Sequence, residues 1–97
     1  MDFTSISDIE KYIGSIMAAC RKRAGLSQEK LAELLFISRS SISKLENNNV
    51  TPKMDLLMEW SEVTNSKDAV VAMICGKKGV EWLIAKLKEE GYWIENS

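Results

Sequence analysis

The stretch SRSSISKLE, residues 38–46, raises the main structural question of this chain. Four of its first six residues are serines, which form helices poorly because their hydroxyls compete for backbone hydrogen bonds. Ile42 and Leu45 nevertheless lie three residues apart, the spacing of one helical face. Ser38 is a suitable N-cap for such a helix. The pattern predicts a short amphipathic helix that is capped by Ser38 and reaches about Asn47.

A second short helix precedes this one. Ser27 is its candidate N-cap, and Glu29 suits the positive end of the helix in the first turn. Leu31, Ala32 and Leu35 form its apolar stripe, so the helix covers about residues 28–35. Only Phe36 and Ile37 then connect it to the serine-rich helix. Two short helices joined by a tight turn indicate a helix-turn-helix motif.

Four further helices are predicted around this pair. A Ser7–Glu10 capping box opens the first, the dipeptide Thr51–Pro52 opens the fourth, and Gly25 and Gly91 end the first and the last. Their expected ranges are about 8–24, 52–64, 67–75 and 80–90, with a loop over 76–79. The predicted fold is all-α, a five- to six-helix domain. We assign residues 1–65 to a helix-turn-helix domain and 66–97 to a short C-terminal helical extension.

Composition and charge fit one globular domain with a polarised surface. The 97 residues are 45% hydrophobic and 28% charged, a globular rather than a disordered balance. The net charge is −1, but residues 21–53 carry seven Lys or Arg against three Glu, which gives +4. The segments on either side carry −2 and −3. A basic middle suits nucleic acid, although an ordinary solvated charge pattern would look similar.

Several classes of function find no support in the sequence. There is no histidine for general base catalysis or zinc binding, and the two cysteines form no CxxC motif. Cys20 falls on an apolar helix stripe, and the residues 76–79, GKKG, lack the spacing of a phosphate-binding loop. The longest uncharged apolar run, residues 69–75, is too short to span a membrane, and no signal peptide is visible. We therefore expect a cytoplasmic, nucleoid-associated protein with reduced, packed thiols, no enzymatic activity, no cofactor or metal, and no small-molecule effector.

The chain also resembles a known family through three motifs. They are Arg21-Lys22-x-x-Gly25-Leu26-Ser27-Gln28-Glu29-x-Leu31-Ala32, then Ile37-Ser38-Arg39-Ser40-x-Ile42-Ser43-x-Leu45-Glu46-Asn47, then Pro52 with the helix that follows it. In these positions the sequence is similar to the lambda-repressor/Cro-type (Xre-type) helix-turn-helix regulators, over about residues 13–63. The resemblance implies a protein that binds double-stranded DNA by placing the second helix of the motif, the recognition helix, in the major groove.

Candidate contact residues follow from the helix pattern and from the resemblance. The side chains opposite Ile42 and Leu45 are candidates for base contacts, with lysine and serines also able to reach adjacent phosphates: Arg39, Ser40, Lys44, Ser38 and Ser43. The resemblance implies phosphate contacts at the start of the second helix and after the recognition helix: Gln28, Ser27, Asn47 and Asn49. It also implies a structural ion pair between Arg21 and Glu46. A merely solvated helix face is the alternative for these polar residues.

The sequence departs from the family pattern at three apolar positions and in its acidic C-terminal tail. Phe36 occupies the turn position where the family usually has glycine, and a positive φ there is costly for a bulky residue, so the turn is expected to differ. Leu34 and Leu56 stand where the family usually has polar residues. Together they predict extra burial, either under the C-terminal segment or at a subunit contact.

Assembly and partners stay open between two alternatives. A single helix-turn-helix buries little surface, so we expect a homodimer that binds a palindromic operator, and the leading hypothesis is a repressor. Residues of the last helix and the tail would either form the dimer surface or only close the core: Trp82, Leu83, Leu87, Tyr92 and Trp93. The competing hypothesis is a protein-interaction module, an antitoxin or adaptor, that uses the same fold to bind a protein partner.

Overall fold

The computed structural model describes residues 6–93, with side chains from residue 10 onward, and folds them into six α-helices without a strand in that range. The helices are α1 (Ile6–Arg23), α2 (Gln28–Leu35), α3 (Arg39–Glu46), α4 (Met54–Val63), α5 (Lys67–Ile74) and α6 (Lys77–Glu90). The predicted all-α class is confirmed. The side chains of the predicted Ser7–Glu10 capping box lie partly outside the described residues.

One hydrophobic core receives side chains from all six helices. Ile16 and Met17 of α1 meet Leu31 of α2, Ile42 of α3 and Trp60 of α4, all of them almost fully buried. The Trp60 indole donates a hydrogen bond from Nε1 to the Met17 carbonyl oxygen at 3.0 Å, so burying this ring leaves no polar atom unpaired. Because each amphipathic helix directs its apolar stripe inward, the polar stripes of α2 and α3 are left on the surface.

Local capping chemistry sets the ends of several helices as predicted. The Ser27 and Ser38 hydroxyl oxygens each accept a backbone N–H in the first turn of α2 and α3, both at 3.0 Å. Gly25 and Gly91 have φ of 74° and 85°, the left-handed geometry that ends α1 and α6. Glycine adopts this geometry without strain, which explains why it predicts helix ends reliably.

The start of α4 differs from the prediction. The helix begins at Met54 with Lys53 as its N-cap residue, rather than at Pro52 behind a Thr51 cap. Asp55 supplies an acceptor inside the first turn, where its Oδ1 takes the Leu56 N–H at 2.9 Å. A carboxylate at this position also suits the positive end of the helix.

The predicted loop over residues 76–79 is also wrong, because α6 already begins at Lys77. Two residues, Cys75 and Gly76, make the turn between α5 and α6, and Gly76 has φ of 80°. Gly79 lies within the helix where α6 passes closely over α5. A Cβ at this position would collide with the Ala72 carbonyl oxygen and come within 2.8 Å of the Cys75 Cβ. This glycine therefore serves helix packing and does not mark a loop.

Charged side chains fasten α5 and α6 to the end of α1. Arg23 pairs with Asp68 at 2.8 Å and with Glu90 at 3.4 Å, and Lys86 pairs with Asp68 at 3.2 Å. Burial alone would raise the pKa of Asp68, but the hydrogen bonds from Arg23 and Lys86, together with their positive charges, outweigh it and hold that pKa below its usual value. The C-terminal helices are thus joined to the rest of the domain by both apolar and ionic contacts.

The two cysteines occupy different environments. Cys20 is buried in the core, and burial raises the pKa of its thiol, against a smaller opposing effect of a hydrogen bond with Ser66. Cys75 is exposed at the end of α5, so the expectation that both thiols are packed is wrong for this residue. The turn that lets α6 pass over α5 leaves this side chain on the surface.

In the part of the chain that the structure describes, no helix combines the length and the apolar character that crossing a bilayer requires.

Candidate nucleic-acid interface

Helix α3 has one face packed in the core and an opposite face exposed to solvent. Ile42 and Leu45 are buried, whereas Arg39, Ser40 and Lys44 are exposed. Among the described residues, none of these three exposed side chains makes a hydrogen bond or an ion pair within the chain. Their donors are therefore available to an external ligand, as a surface that reads base edges requires.

The serines of α3 and its cap are not equivalent. The Ser38 hydroxyl accepts the Ser41 backbone N–H and lies 2.8 Å from the Ser41 hydroxyl. Ser43 receives the Asn47 amide, which donates from Nδ2 to the Ser43 carbonyl oxygen at 2.9 Å and to its hydroxyl at 3.3 Å. Ser40 alone of the predicted serine contacts has a hydroxyl without a partner among the described residues. Capping and end-of-helix bonds therefore occupy most of the hydroxyls.

A buried carboxylate holds the end of α3 against α1 and α2. Arg21 donates from Nε to Glu46 Oε2 at 2.7 Å and from Nη2 to Oε1 at 3.0 Å, and its Nη1 donates to the Leu26 carbonyl oxygen at 2.8 Å. The exposed fractions of the two side chains are 12% for Arg21 and 6% for Glu46. Two parallel hydrogen bonds in a largely buried pair fix both the distance and the relative orientation of the guanidinium and the carboxylate. It therefore sets the orientation of α3 in the domain.

The predicted phosphate-contacting residues lie near this pair. Gln28, the first residue of α2, donates one amide N–H from Nε2 to Glu46 Oε1 at 3.1 Å, which leaves the second N–H free. Gln28 and Asn47 line one groove of about 260 Å³ between α1, α2 and the end of α3. Ser27 and Asn49 are exposed but do not line that groove. The structure therefore brings two of the four residues together.

The sequence did not predict a second contact that holds the end of α3 on α1, between Asn48 and Gly14. Asn48 has φ of 60°, accepts the Gly14 backbone N–H on Oδ1 at 2.8 Å and donates from Nδ2 to the Lys11 carbonyl oxygen. A Cβ on Gly14 would lie 2.6 Å from this Oδ1 and 2.7 Å from the carbonyl oxygens of Leu45 and Glu46. The available signal was a glycine inside a predicted helix, where it costs about 1 kcal/mol relative to alanine.

The turn between α2 and α3 keeps a left-handed residue despite its unusual side chain. Phe36 has φ of 57° and ψ of 38°, and the Ile37 N–H donates to the Ala32 carbonyl oxygen at 3.1 Å. The expectation of a different turn is therefore wrong: the buried Leu35 before Phe36 and the half-buried Ile37 after it hold the backbone in place. The Phe36 ring is 94% exposed and Leu34 is also exposed, so the predicted burial under the C-terminal segment does not occur for them. Leu56 is half-buried.

The predicted dimer or core-closing residues divide into two groups. Leu83 and Leu87 are fully buried in the core, and Tyr92 and Trp93 are half-buried beside it. The Trp93 ring lies 6.3 Å from the Tyr12 ring of α1. Trp82 instead points outward, 54% exposed, with the Lys86 ammonium 5.1 Å from its ring centre.

Within the described residues, no three Cys, Asp or Glu side chains are grouped so as to hold a metal ion.

Comparison with known proteins agrees with this geometry. The sequence model of the helix-turn-helix family matches residues 17–70, which include α2, α3 and α4. No curated protein and no solved structure matched the chain. Since the family match spans more than half of the 97 residues, the chain belongs to the lambda-repressor/Cro-type family of DNA-binding helix-turn-helix regulators.

Proposed function

We propose that this regulator is a sequence-specific repressor that binds a palindromic operator as a homodimer, with α3 in the major groove. The observation that carries the proposal is the division of α3 into two faces. Ile42 and Leu45 are buried, while Arg39, Ser40 and Lys44 are exposed and have no partner among the described residues. A helix that is fixed on one side and free on the other suits insertion into a groove of DNA.

Arg39 is the principal candidate for base reading. It is the first residue of α3, the end of a recognition helix that reaches furthest into the groove. Its guanidinium can donate two hydrogen bonds to O6 and N7 of guanine, worth about 1–3 kcal/mol of discrimination. Ser40 and Lys44 would contact neighbouring bases or phosphates. Ser38 and Ser43 would contribute less, because their hydroxyls already have partners within the chain.

Phosphate contacts would fix the position of α3 on the duplex. The free amide N–H of Gln28 lies at the positive N-terminus of α2, which favours a phosphate. The Ser27 hydroxyl accepts the Lys30 N–H but still has its own proton to donate. Asn47, which caps the end of α3, and the exposed Asn49 after it would make similar contacts with the DNA backbone. These contacts carry no sequence information and set affinity.

The C-terminal extension, residues 66–97, supplies a surface for the proposed homodimer. Val71 and Ile74 are 60% and 72% exposed on α5, and Trp82 is exposed on α6. Exposed apolar side chains on two adjacent helices are typical of an interface. The buried Leu83 and Leu87 close the core of the monomer at the same time. A dimer would place two α3 helices on half-sites about 34 Å apart. A domain docked there would exclude other proteins from the operator, which supports repression.

The proposal is tested by selecting binding sites from a random duplex pool at about 150 mM salt. Wild type, Arg39→Ala and the matched control Lys78→Ala are compared, since Lys78 is an exposed cation on α6. We expect an enriched inverted repeat for wild type and the control, and a blurred repeat for Arg39→Ala. Equal results for all three proteins, without enrichment, would refute sequence reading.

A second candidate function is that of a protein-interaction module, an antitoxin or adaptor. The observation that favours it is the ring of Phe36, which is 94% exposed beside the exposed Leu34. An apolar pair on the surface suits a protein contact. The two functions differ in salt dependence, because DNA binding weakens steeply with salt whereas an apolar protein contact does not.

A further inference from the structure

We infer that the groove lined by Gln28 and Asn47 is a seat for a DNA phosphodiester and that Lys22 and Tyr92, from outside the helix-turn-helix, complete it. This inference rests on the proposed DNA-binding function. It extends the phosphate-binding surface from the helix-turn-helix to Tyr92, which follows α6.

The shape of the groove suits a small anion. Its walls come from α1, the start of α2, the end of α3 and the residue Tyr92, which follows α6. Ser15, Ala18 and Ala19 line it on the α1 side, and these small side chains leave a volume of about 260 Å³. Larger side chains at these positions would fill the space that a phosphate group needs.

The charges in the groove favour an anion. Among the described residues, Glu46 is the sole acid that lines it, and Arg21 neutralises this carboxylate through two hydrogen bonds. Lys22 also lines the groove and makes no ion pair within the described residues. One positive charge is therefore left over, beside the positive N-terminus of α2.

The Tyr92 hydroxyl adds a donor that has no partner among the described residues. Its position is set by the end of α6. Gly91 has φ of 85°, and the N–H groups of Tyr92 and Trp93 both donate to the Leu87 carbonyl oxygen, at 2.9 and 3.3 Å. This capped reversal brings the tail back over α1, where the Trp93 ring meets Tyr12. The half-buried Tyr92 ring packs on the core while lining the groove.

Three side chains with open donors, Lys22, Gln28 and Tyr92, therefore line one groove from separate parts of the chain, beside Asn47, whose amide is held by Ser43. Lysine, glutamine, asparagine and tyrosine side chains all donate to phosphate oxygens at DNA interfaces. The occupant that fits is a phosphodiester of the duplex backbone. A sequence-independent contact of this kind would weaken or strengthen binding to every duplex by the same factor.

The test compares Tyr92→Phe and Lys22→Gln with wild type on a labelled duplex of arbitrary sequence, titrated between about 50 and 200 mM salt. Tyr92→Phe keeps the packed ring and removes one hydroxyl, so we expect about fivefold weaker binding with an unchanged salt slope. Lys22→Gln should reduce the slope of log K against log salt by about 0.9. The control Lys78→Gln removes the same charge away from the groove and should keep the wild-type slope. Melting temperatures verify that all variants are folded.

The outcomes separate this inference from the proposed function. Steep, salt-dependent binding by wild type with both variants unchanged overturns the phosphate seat and leaves DNA binding intact. An equal loss of slope in Lys22→Gln and Lys78→Gln also overturns it, because the effect would then be one of net charge. Wild type that does not bind the duplex at all would refute the proposed function and this inference together.

Discussion

Replacing Phe36 by glycine should stabilise the protein, although it removes a large aromatic side chain. Phe36 has φ of 57°, and a left-handed conformation costs a residue with a Cβ about 1–3 kcal/mol. Glycine relieves this strain but adds about 0.5–1 kcal/mol of chain entropy to the unfolded state. Because the ring is 94% exposed, its removal forfeits almost no packing. The net expectation is a gain of about 1 kcal/mol, or about 4–8 °C in Tm for a chain of this size.

The assay is urea unfolding and thermal melting of wild type, Phe36→Gly and Phe36→Ala. Phe36→Ala is the matched control, because alanine also removes the ring but keeps the Cβ and hence the strain. We expect the free energy of unfolding of Phe36→Ala to stay near that of wild type, while Phe36→Gly exceeds both. If the alanine and glycine variants are equally stable, backbone strain at this turn is not the reason, and the argument fails.

Two further changes test the fastening of the domain. Gly14→Ala should destabilise the protein by about 1–3 kcal/mol and weaken DNA binding, because the alanine Cβ would collide with Asn48 and with two backbone carbonyl groups at the end of α3. Urea unfolding measures this change. A gain in stability, as expected for an exposed glycine in a helix, would contradict the prediction. Asp68→Asn should lower Tm at neutral pH by removing the carboxylate that both Arg23 and Lys86 bind. Because the pKa of Asp68 is lowered in the folded state, wild type loses this advantage as pH falls from about 4 through the folded-state pKa, so the two Tm values should converge there. A Tm difference that is constant with pH would show that Asp68 does not contribute as an anion.

The parts of the fold that the sequence predicts are those governed by local chemistry. Ser27 and Ser38 cap their helices because a side-chain oxygen two or three residues before a free N–H needs no distant partner. Gly25 and Gly91 end helices for an equally local reason. The amphipathic spacing of α2 and α3 likewise decides which side is buried. The family match over residues 17–70 supports the same region.

The errors arise where distant packing overrides local preference. Gly79 looks like part of a loop, and only its closeness to the Ala72 carbonyl oxygen explains why it lies in a helix. The same holds for Asn48, whose bonds to Gly14 and Lys11 join residues more than thirty positions apart. Phe36 is a further example: a left-handed conformation is strained for a residue with a Cβ, but the helices on either side impose it.

The serines of the recognition helix are explained by the work that their hydroxyls do inside the chain. Ser38 and Ser41 satisfy the first turn of α3, and Ser43 holds the Asn47 amide at the other end. A helix of eight residues has few backbone bonds of its own, so these end contacts replace part of the stability that better helix formers would give. Short side chains also keep the exposed face narrow, which a helix in the major groove requires. The buried Glu46 contributes as well, because its ion pair with Arg21 holds α3 in the orientation in which Arg39, Ser40 and Lys44 point outward.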